Sequence, residues 1–198
     1  MLRFSGFLLL FCCSTVFPAQ TINSELNQEA RQLAQRFVAE LKPELKRAML
    51  EGGPTLAIEA CASLAPRIAD NLAEKSGWLV RRVSLKSRNA SRARPDKWEK
   101  AVLVQFDERQ AAGESASTLV QAEIKGGWYR YMQAQVVEPL CLICHGTEIT
   151  EPVRGILTDF YPDDWATGYV LGQVRGAISL ARQLPAPGEH SPESLDEK

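Results

Sequence analysis

The sequence predicts an α+β fold in which a small antiparallel sheet is covered by helices. Three observations support this prediction. Apolar residues recur every three or four positions over residues 24–76, two alternating segments flank Gly126-Gly127, and no repeated strand–helix–strand pattern indicates a parallel sheet. With 198 residues, of which 45% are hydrophobic, the chain has enough material for one core and little room for two. We therefore expect a single domain over residues 24–183.

Residues 1–19 have the layout of a secretory signal peptide, with Arg3 ahead of an apolar run and small residues before the expected cleavage site at Ala19. We expect export to the periplasm and removal of this segment, so contact with a membrane is expected only if the segment is retained. Residues 184–198 are rich in Pro, Glu and Ser and are predicted to be a disordered tail.

Two helices are predicted in the first part of the domain. Residues 24–50 place their apolar side chains on one helix face, which predicts a long helix that ends at Gly52-Gly53. Pro54 suits the first turn of the next helix, which we expect to continue to about residue 76. Cys61 falls on the apolar stripe of this second helix, so it is expected to face the core.

The rest of the domain alternates short strands and helices. Gly126-Gly127 joins two segments that alternate with period two, which is typical of an antiparallel hairpin. Leu79, Val83 and Leu85 form the apolar face of the first strand, and Arg82 falls on its polar face. In chain order we expect a strand at 79–85, a loop at 86–97, a helix at 96–112, hairpin strands at 118–125 and 128–137, a helix at 150–160 and a last strand at 174–180.

The charge balance excludes one class of partner. The chain has 23 basic and 24 acidic residues, which gives a net charge of -1. No overall positive field draws the protein to a polyanion. We therefore expect no nucleic-acid partner.

The run Cys141-Leu142-Ile143-Cys144-His145 carries the clearest chemical signal in the sequence. The spacing lets two thiols reach the two vinyl groups of one porphyrin, while the adjacent imidazole reaches the iron from the same side. We therefore predict one covalently attached haem c, with Cys141 and Cys144 as attachment sites and His145 as an axial ligand of the iron.

Three other interpretations of this run compete with haem. A redox dithiol of the thioredoxin type needs a strand–helix–strand unit, which the sequence pattern does not indicate. A structural zinc site needs four ligands, and only Cys61 and His190 remain to complete one. A disulfide between Cys141 and Cys144 would close a small, strained loop. Haem is favoured because it alone also accounts for the histidine.

The ligand on the other side of the iron is left open by the residues alone. Cys61 is the remaining thiol among three cysteines of the mature chain, and a spare thiol is a liability in an oxidising compartment. A lone helical cysteine is, however, most often a core residue. The other candidates are Met49, Met132, His190 and a lysine, with core packing or solvent exposure as their ordinary explanation.

Several longer motifs occur in a familiar order. They are Gly52-Gly53-Pro54, Ile58-Glu59-Ala60-Cys61, Ser84-Leu85-Lys86, Arg88-Asn89, Pro95-Asp96-Lys97-Trp98-Glu99, Arg130-Tyr131-Met132, the CxxCH run, Tyr161-Pro162-Asp163-Asp164, Ala166-Thr167-Gly168-Tyr169 and Arg175-Gly176-Ala177. With these motifs, roughly residues 25–182 resemble the c-type haem sensor domain with a PAS-like fold. This bacterial family of uncharacterised function occurs alone and as the sensing region of membrane histidine kinases.

The resemblance implies a PAS-like fold and haem bound through the two motif cysteines. It also implies axial ligation by His145 on one side and by Cys61 on the other. Arg88, Tyr131 and Arg175 are candidates for contacts with the haem propionates, since a guanidinium group matches a carboxylate in bidentate fashion.

The predicted function is therefore a periplasmic redox sensor or small-molecule sensor, with a gas ligand or a redox protein as its partner. The alternative is an electron-transfer c-type cytochrome. Asp163-Asp164 lies in a Tyr-Pro-Asp-Asp run that is typical of a turn, so we expect no acid–base chemistry from this pair. We predict no enzymatic activity.

Overall fold

The computed structural model describes residues 19–186. The predicted signal segment, except for Ala19, lies outside this range, as do His190 and residues 187–198 of the predicted tail. No helix in the described range is long and apolar enough to cross a membrane.

The N-terminal helical region is long, as predicted. Helix α1 covers Ala19–Ser76 and contains one residue outside helical geometry, Gly53, whose φ of 63° lies in the region that favours glycine. This residue divides α1 into the two predicted segments, and the helix continues through Pro43 and Pro66. The remaining helices are α2 (Ala90–Ala93), α3 (Lys97–Ala111), α4 (Leu142–His145) and α5 (Glu151–Phe160).

Helix boundaries follow local sequence signals. Asp96 accepts a hydrogen bond from the backbone N–H of Glu99, and the Glu99 carboxylate accepts one from the N–H of Asp96. This reciprocal cap fixes the start of α3 one residue after the predicted start. Helix α2 occupies part of the segment that we predicted as a loop.

The described strands form one antiparallel sheet. They are β1 (Leu79–Val83), β2 (Val120–Lys125), β3 (Trp128–Val136) and β4 (Val174–Gln183), in the order β1-β4-β3-β2. The predicted hairpin is present, with positive φ at both Gly126 and Gly127. A register shift between Gln135 and Val136 marks the end of β3 that leads to the CxxCH run.

Helices cover both faces of the sheet. The first face packs against α1, with Phe37 and Leu72 of the helix in the same core cluster as Tyr131. The second face packs against α3, with Phe106 in a cluster with Met132. Tyr131 and Met132 are consecutive and thus lie on opposite faces, as period two requires. The predicted α+β class, with a small antiparallel sheet and a long N-terminal helix, is confirmed.

Candidate functional site

A cavity lies between the two segments of α1, the adjoining ends of β1 and β4, and the CxxCH run. Its volume is about 240 Å³. A single water needs roughly 10–15 Å³ in the same measure, so the cavity can hold a far larger group. The site residues that line it are Cys61, Arg88, Cys141, Cys144, His145 and Arg175. The structure thus brings together all but one of the residues singled out in the sequence.

The CxxCH run is short and helical. A 3-10 turn over Pro139–Cys141 leads directly into α4, which ends at His145. Two backbone hydrogen bonds of 2.9 Å then join the run to the segment before β4, from Tyr169 N–H to the His145 carbonyl and from Gly168 N–H to the Gly146 carbonyl. These bonds fix the position of His145 relative to the segment before β4.

The His145 ring is oriented by a backbone carbonyl. Its Nδ1 lies 2.7 Å from the Ala166 oxygen. Because a carbonyl can only accept, Nδ1 carries the proton and donates it to this bond, which leaves the lone pair of Nε2 available to a metal. Burial, followed by the charges of Arg175 and Arg88, lowers the pKa of His145 well below its ordinary value. The imidazole is therefore neutral, which is the form that ligates metals.

Arg88 and Asp164 connect three parts of the site. Arg88 Nε donates to Asp164 Oδ2 at 3.0 Å, and the Arg88 guanidinium also donates to the carbonyls of Cys144 and Ala166. The other Asp164 oxygen accepts a 2.7 Å bond from Ala166 N–H. Asp164 therefore does more than form the predicted turn, because it also holds both Arg88 and the residue that orients His145.

Arg175 is a buried cation at the start of β4. It is 9% exposed and donates through Nη1 to Ser84 Oγ at 2.9 Å and to the Lys86 carbonyl at 3.2 Å. Its Nε lies 3.2 Å from Nδ1 and 3.5 Å from Nε2 of His145, and Arg88 Nη1 also lies 3.5 Å from Nε2. Burial lowers the pKa of Arg175 to about 10. No carboxylate lies within 4 Å of this guanidinium in the described part of the chain, so the site can accommodate an anionic group.

Gly176 allows β4 to lie close enough to β1 to place Arg175 in this position. A Cβ atom at Gly176 would lie 2.3 Å from the Val83 carbonyl oxygen, and its φ is 155°. Any other residue would push the two strands apart at the cavity wall.

Cys61 lies on the second segment of α1 and lines the cavity, so of the two alternatives that the sequence left open it takes the position that a ligand needs. Burial raises the pKa of its thiol, while the charges of Arg82, Arg88 and Arg175 act in the opposite direction. Cys61, Cys141 and Cys144 are all free thiols. Three sulfur atoms and one imidazole therefore converge on one cavity without a disulfide between them.

Of the other candidate iron ligands, some line the cavity and some do not. Met49, on the first segment of α1, also lines the cavity. Met132 is fully buried in the cluster beneath α3 and does not line the cavity. The described wall of the cavity contains no lysine. His190 lies outside the described residues.

Tyr131 is the one predicted site residue that the structure does not bring to the cavity. It is fully buried in the core between the sheet and α1, and its hydroxyl donates a 3.3 Å bond to Gln133. The alternation along β3 predicted a buried face through Met132 and a wetter face that includes Tyr131, but α1 covers this second face as well.

Arg82 and Tyr161 are among the cavity residues that the sequence did not single out as site residues. Arg82 was assigned to the polar face of the first strand, and that face is the one that adjoins the cavity. On the face predicted to be buried, only Val83 is buried, while Leu79 is 55% and Leu85 40% exposed. The polar residues of a strand therefore marked the site here. Tyr161 carried no signal beyond its position in a turn motif.

The competing interpretations of the CxxCH run fit poorly. The run does not lie in a parallel strand–helix–strand unit, since every strand pair of the described sheet is antiparallel. Within residues 19–186, no three His, Cys, Asp or Glu side chains are placed to hold a bare metal ion. The donors instead surround a cavity with apolar walls and buried cations, which fits a large, flat, anionic group with its own metal.

Comparisons with known proteins agree with the predicted extent of the domain and with its fold. The profile of the Tll0287-like family, described as Tll0287, matches residues 19–182. The structure is similar to the crystal structure of the cyanobacterial heme-protein Tll0287, with 25% sequence identity and a TM-score of 0.59 over 88% of this chain and 100% of that chain. No curated protein sequence matches the chain significantly.

Proposed function

Because this chain belongs to the Tll0287-like family, we propose that it is a haem protein that holds one covalently attached haem c in the cavity beside the CxxCH run. The observation that carries the proposal is that Cys141, Cys144, His145 and Cys61 all line one cavity. The similarity to a heme-protein structure supports the same assignment. The haem supplies a redox-active iron that binds imidazole, thiolate and small gases.

The residues of the CxxCH run would act as attachment and ligand. Cys141 and Cys144 would hold the group through thioether bonds, and neutral His145 would ligate the iron through Nε2. The Ala166 carbonyl keeps the ring in the tautomer that this role requires. Arg175 and Arg82, which have no carboxylate within 4 Å in the described part of the chain, would pair with the propionates. Arg88 is already paired with Asp164 and is a weaker candidate for that role.

Cys61 is proposed as the ligand opposite His145. It lines the same cavity, and three arginine side chains stabilise its thiolate. Burial opposes ionisation of this thiol, so the thiolate is favoured only beside additional positive charge. Ferric iron provides more positive charge than ferrous iron, so Cys61 would bind more firmly in the oxidised state. Loss of this bond on reduction would open a position for a small ligand.

This difference between redox states favours a sensor of redox state or of a small gas. An electron carrier works best when the iron keeps both ligands in the two redox states. We propose a non-enzymatic role, because the two candidate acid–base groups are already engaged. Asp164 is paired with Arg88, and His145 donates its Nδ1 proton to the Ala166 carbonyl. We also propose a periplasmic location, which the signal-peptide pattern of residues 1–19 supports.

The first experiment tests attachment. Protein matured in a host that attaches c-type haem is denatured and separated by size, and haem absorbance is followed. We expect haem to stay with the polypeptide, and to be lost from the Cys141→Ser/Cys144→Ser variant. Complete extraction of haem from the wild type would contradict covalent attachment, and a protein without haem would contradict the proposed function altogether.

The second experiment tests ligation and role. Optical and EPR spectra of the ferric protein are compared with those of Cys61→Ala, and unchanged spectra would remove Cys61 from the iron. Carbon monoxide is then added to the reduced wild-type protein. Binding supports a sensor, whereas no binding together with rapid electron exchange with a partner cytochrome would favour the electron-transfer alternative.

A further inference from the structure

A second, more open pocket lies next to the cavity on the Cys61 side. Its lining includes Ala62, adjacent to Cys61 in α1, together with Phe160 and Asp163 at the end of α5. Three residues, Arg88, Asn89 and Tyr161, line both this pocket and the cavity. Arg88 is held by Asp164 and two carbonyls, and the Asn89 side chain accepts a hydrogen bond from Ser91, whereas the Tyr161 hydroxyl has no partner in the described part of the chain.

The Tyr161 side chain is buried but its hydroxyl is not used by the protein. Only 9% of the residue is exposed, and it packs in a cluster with Ile58 of α1 and Leu157 of α5. Arg88 lies over its ring, with Cζ 5.9 Å from the centroid. Within residues 19–186 the hydroxyl forms no hydrogen bond. The hydroxyl oxygen stays accessible although the ring is buried, so it can meet a ligand or water where the side chain lines the cavity.

The chemistry of Tyr161 suits a hydrogen-bond donor near Cys61. Burial, followed by the charge that Cys61 carries when it is ionised, raises the pKa of Tyr161 to about 12. The phenol therefore keeps its proton at any physiological pH. A neutral phenol can donate to an acceptor atom on the iron side, while its ring stands between the cavity and the second pocket.

We propose that Tyr161 is a specificity-determining residue of the cavity, with a hydroxyl that donates a hydrogen bond to a small accepting ligand that replaces Cys61. The ligand class is a small anion or a diatomic molecule with a strong acceptor atom, favoured over carbon monoxide, which accepts hydrogen bonds poorly. This inference rests on the proposed function, because it needs haem in the cavity.

The test compares two probes in a background where the position opposite His145 is open. Cys61→Ala and Cys61→Ala/Tyr161→Phe are prepared as holoproteins. Cyanide affinity is measured in the ferric state and carbon monoxide affinity in the ferrous state, both by optical titration. We expect the Tyr161→Phe change to weaken cyanide binding about tenfold, as loss of a charge-assisted hydrogen bond predicts, and to alter carbon monoxide affinity less than twofold.

A matched control is Tyr129→Phe in the same background. Tyr129 is another buried tyrosine whose hydroxyl lacks a partner, but it lies in the core cluster with α1 and not on the cavity wall. We expect it to leave both affinities unchanged. Equal cyanide affinity with and without the Tyr161 hydroxyl, in protein with full haem content, would overturn the role of Tyr161 and leave the proposed function intact. Absence of haem from every variant would overturn both.

Discussion

Arg88 and Asp164 form a 3.0 Å ion pair whose side chains are only 10% and 11% exposed. The pair is more than a local contact, because the same carboxylate also accepts from Ala166 N–H and the same guanidinium donates to the Cys144 carbonyl. The pair therefore connects the segment before β4, which contains Asp164, to the CxxCH run. Removal of either partner leaves a charge in a place where water reaches poorly.

The first prediction concerns this pair. Asp164→Ala is expected to lower the free energy of unfolding by about 3 kcal/mol, because it leaves Arg88 buried without its counter-charge and Ala166 N–H without its acceptor. The measurement is urea denaturation followed by circular dichroism. The control is Asp163→Ala at the exposed neighbouring carboxylate, which should change stability by less than about 0.5 kcal/mol. Equal effects of the two variants would show that the pair contributes nothing specific.

The second prediction concerns the close approach of β4 to β1. Gly176→Ala should destabilise the protein by roughly 2–4 kcal/mol and reduce haem content, since a Cβ atom there would lie 2.3 Å from the Val83 carbonyl. Gly155→Ala is the matched control. That glycine lies in α5 with nothing within 4 Å of a Cβ atom, and alanine there should stabilise the helix by up to about 1 kcal/mol. Thermal denaturation and the haem-to-protein absorbance ratio test both.

These two sites show what the sequence could and could not predict. Local signals were sufficient for most of the elements, although not for the short helix α2: the period of α1 with its break at Gly53, the glycine pair of the hairpin and the start of α3 at Asp96 depend only on neighbouring residues. The signal for haem attachment was equally local, since the two cysteines and the histidine lie within five consecutive residues.

The rest of the site depends on contacts between residues far apart in the chain. Ser84 and Arg175 are separated by 91 positions and Arg88 and Asp164 by 76, and no periodicity reports such pairs. Alternation put Tyr131 on the wetter face of β3, and only the packing of α1 against that face buries it in a core. The same limit explains why Arg82 was assigned to a solvent-facing position, because a strand's polar side looks the same toward water and toward a polar ligand.

The third prediction concerns alkaline pH. Burial raises the pKa of Tyr129 and Tyr131, and burial with Cys61 raises the pKa of Tyr161 to about 12. Unfolded tyrosines lose their protons near pH 10, so above that pH the folded state binds more protons than the unfolded state and stability falls as pH rises. Below about pH 9 these groups should have no effect on the pH dependence.

The measurement is a spectrophotometric titration of tyrosinate together with urea denaturation at several pH values. Tyr161→Phe should make the loss of stability between pH 10 and 12 smaller than in the wild type. Ionisation of all three phenols near pH 10 in protein that is still folded would contradict the prediction.

The last prediction separates the two sulfur residues that could face the iron from α1. Met49 and Cys61 both line the cavity, one from each segment of the helix. Cys61 is favoured because three arginines act on its thiolate, whereas a thioether carries no charge for them to stabilise. Met49→Leu conserves size and apolar character, so it should cost less than about 1.5 kcal/mol and leave the ferric spectra unchanged. Cys61→Ala should remove the spectral features of thiolate ligation in the same measurement. The reverse result, with altered spectra in Met49→Leu and unaltered spectra in Cys61→Ala, would show that Met49 on the first segment of α1 is the ligand. It would also remove the thiolate on which the redox-dependent bond depends.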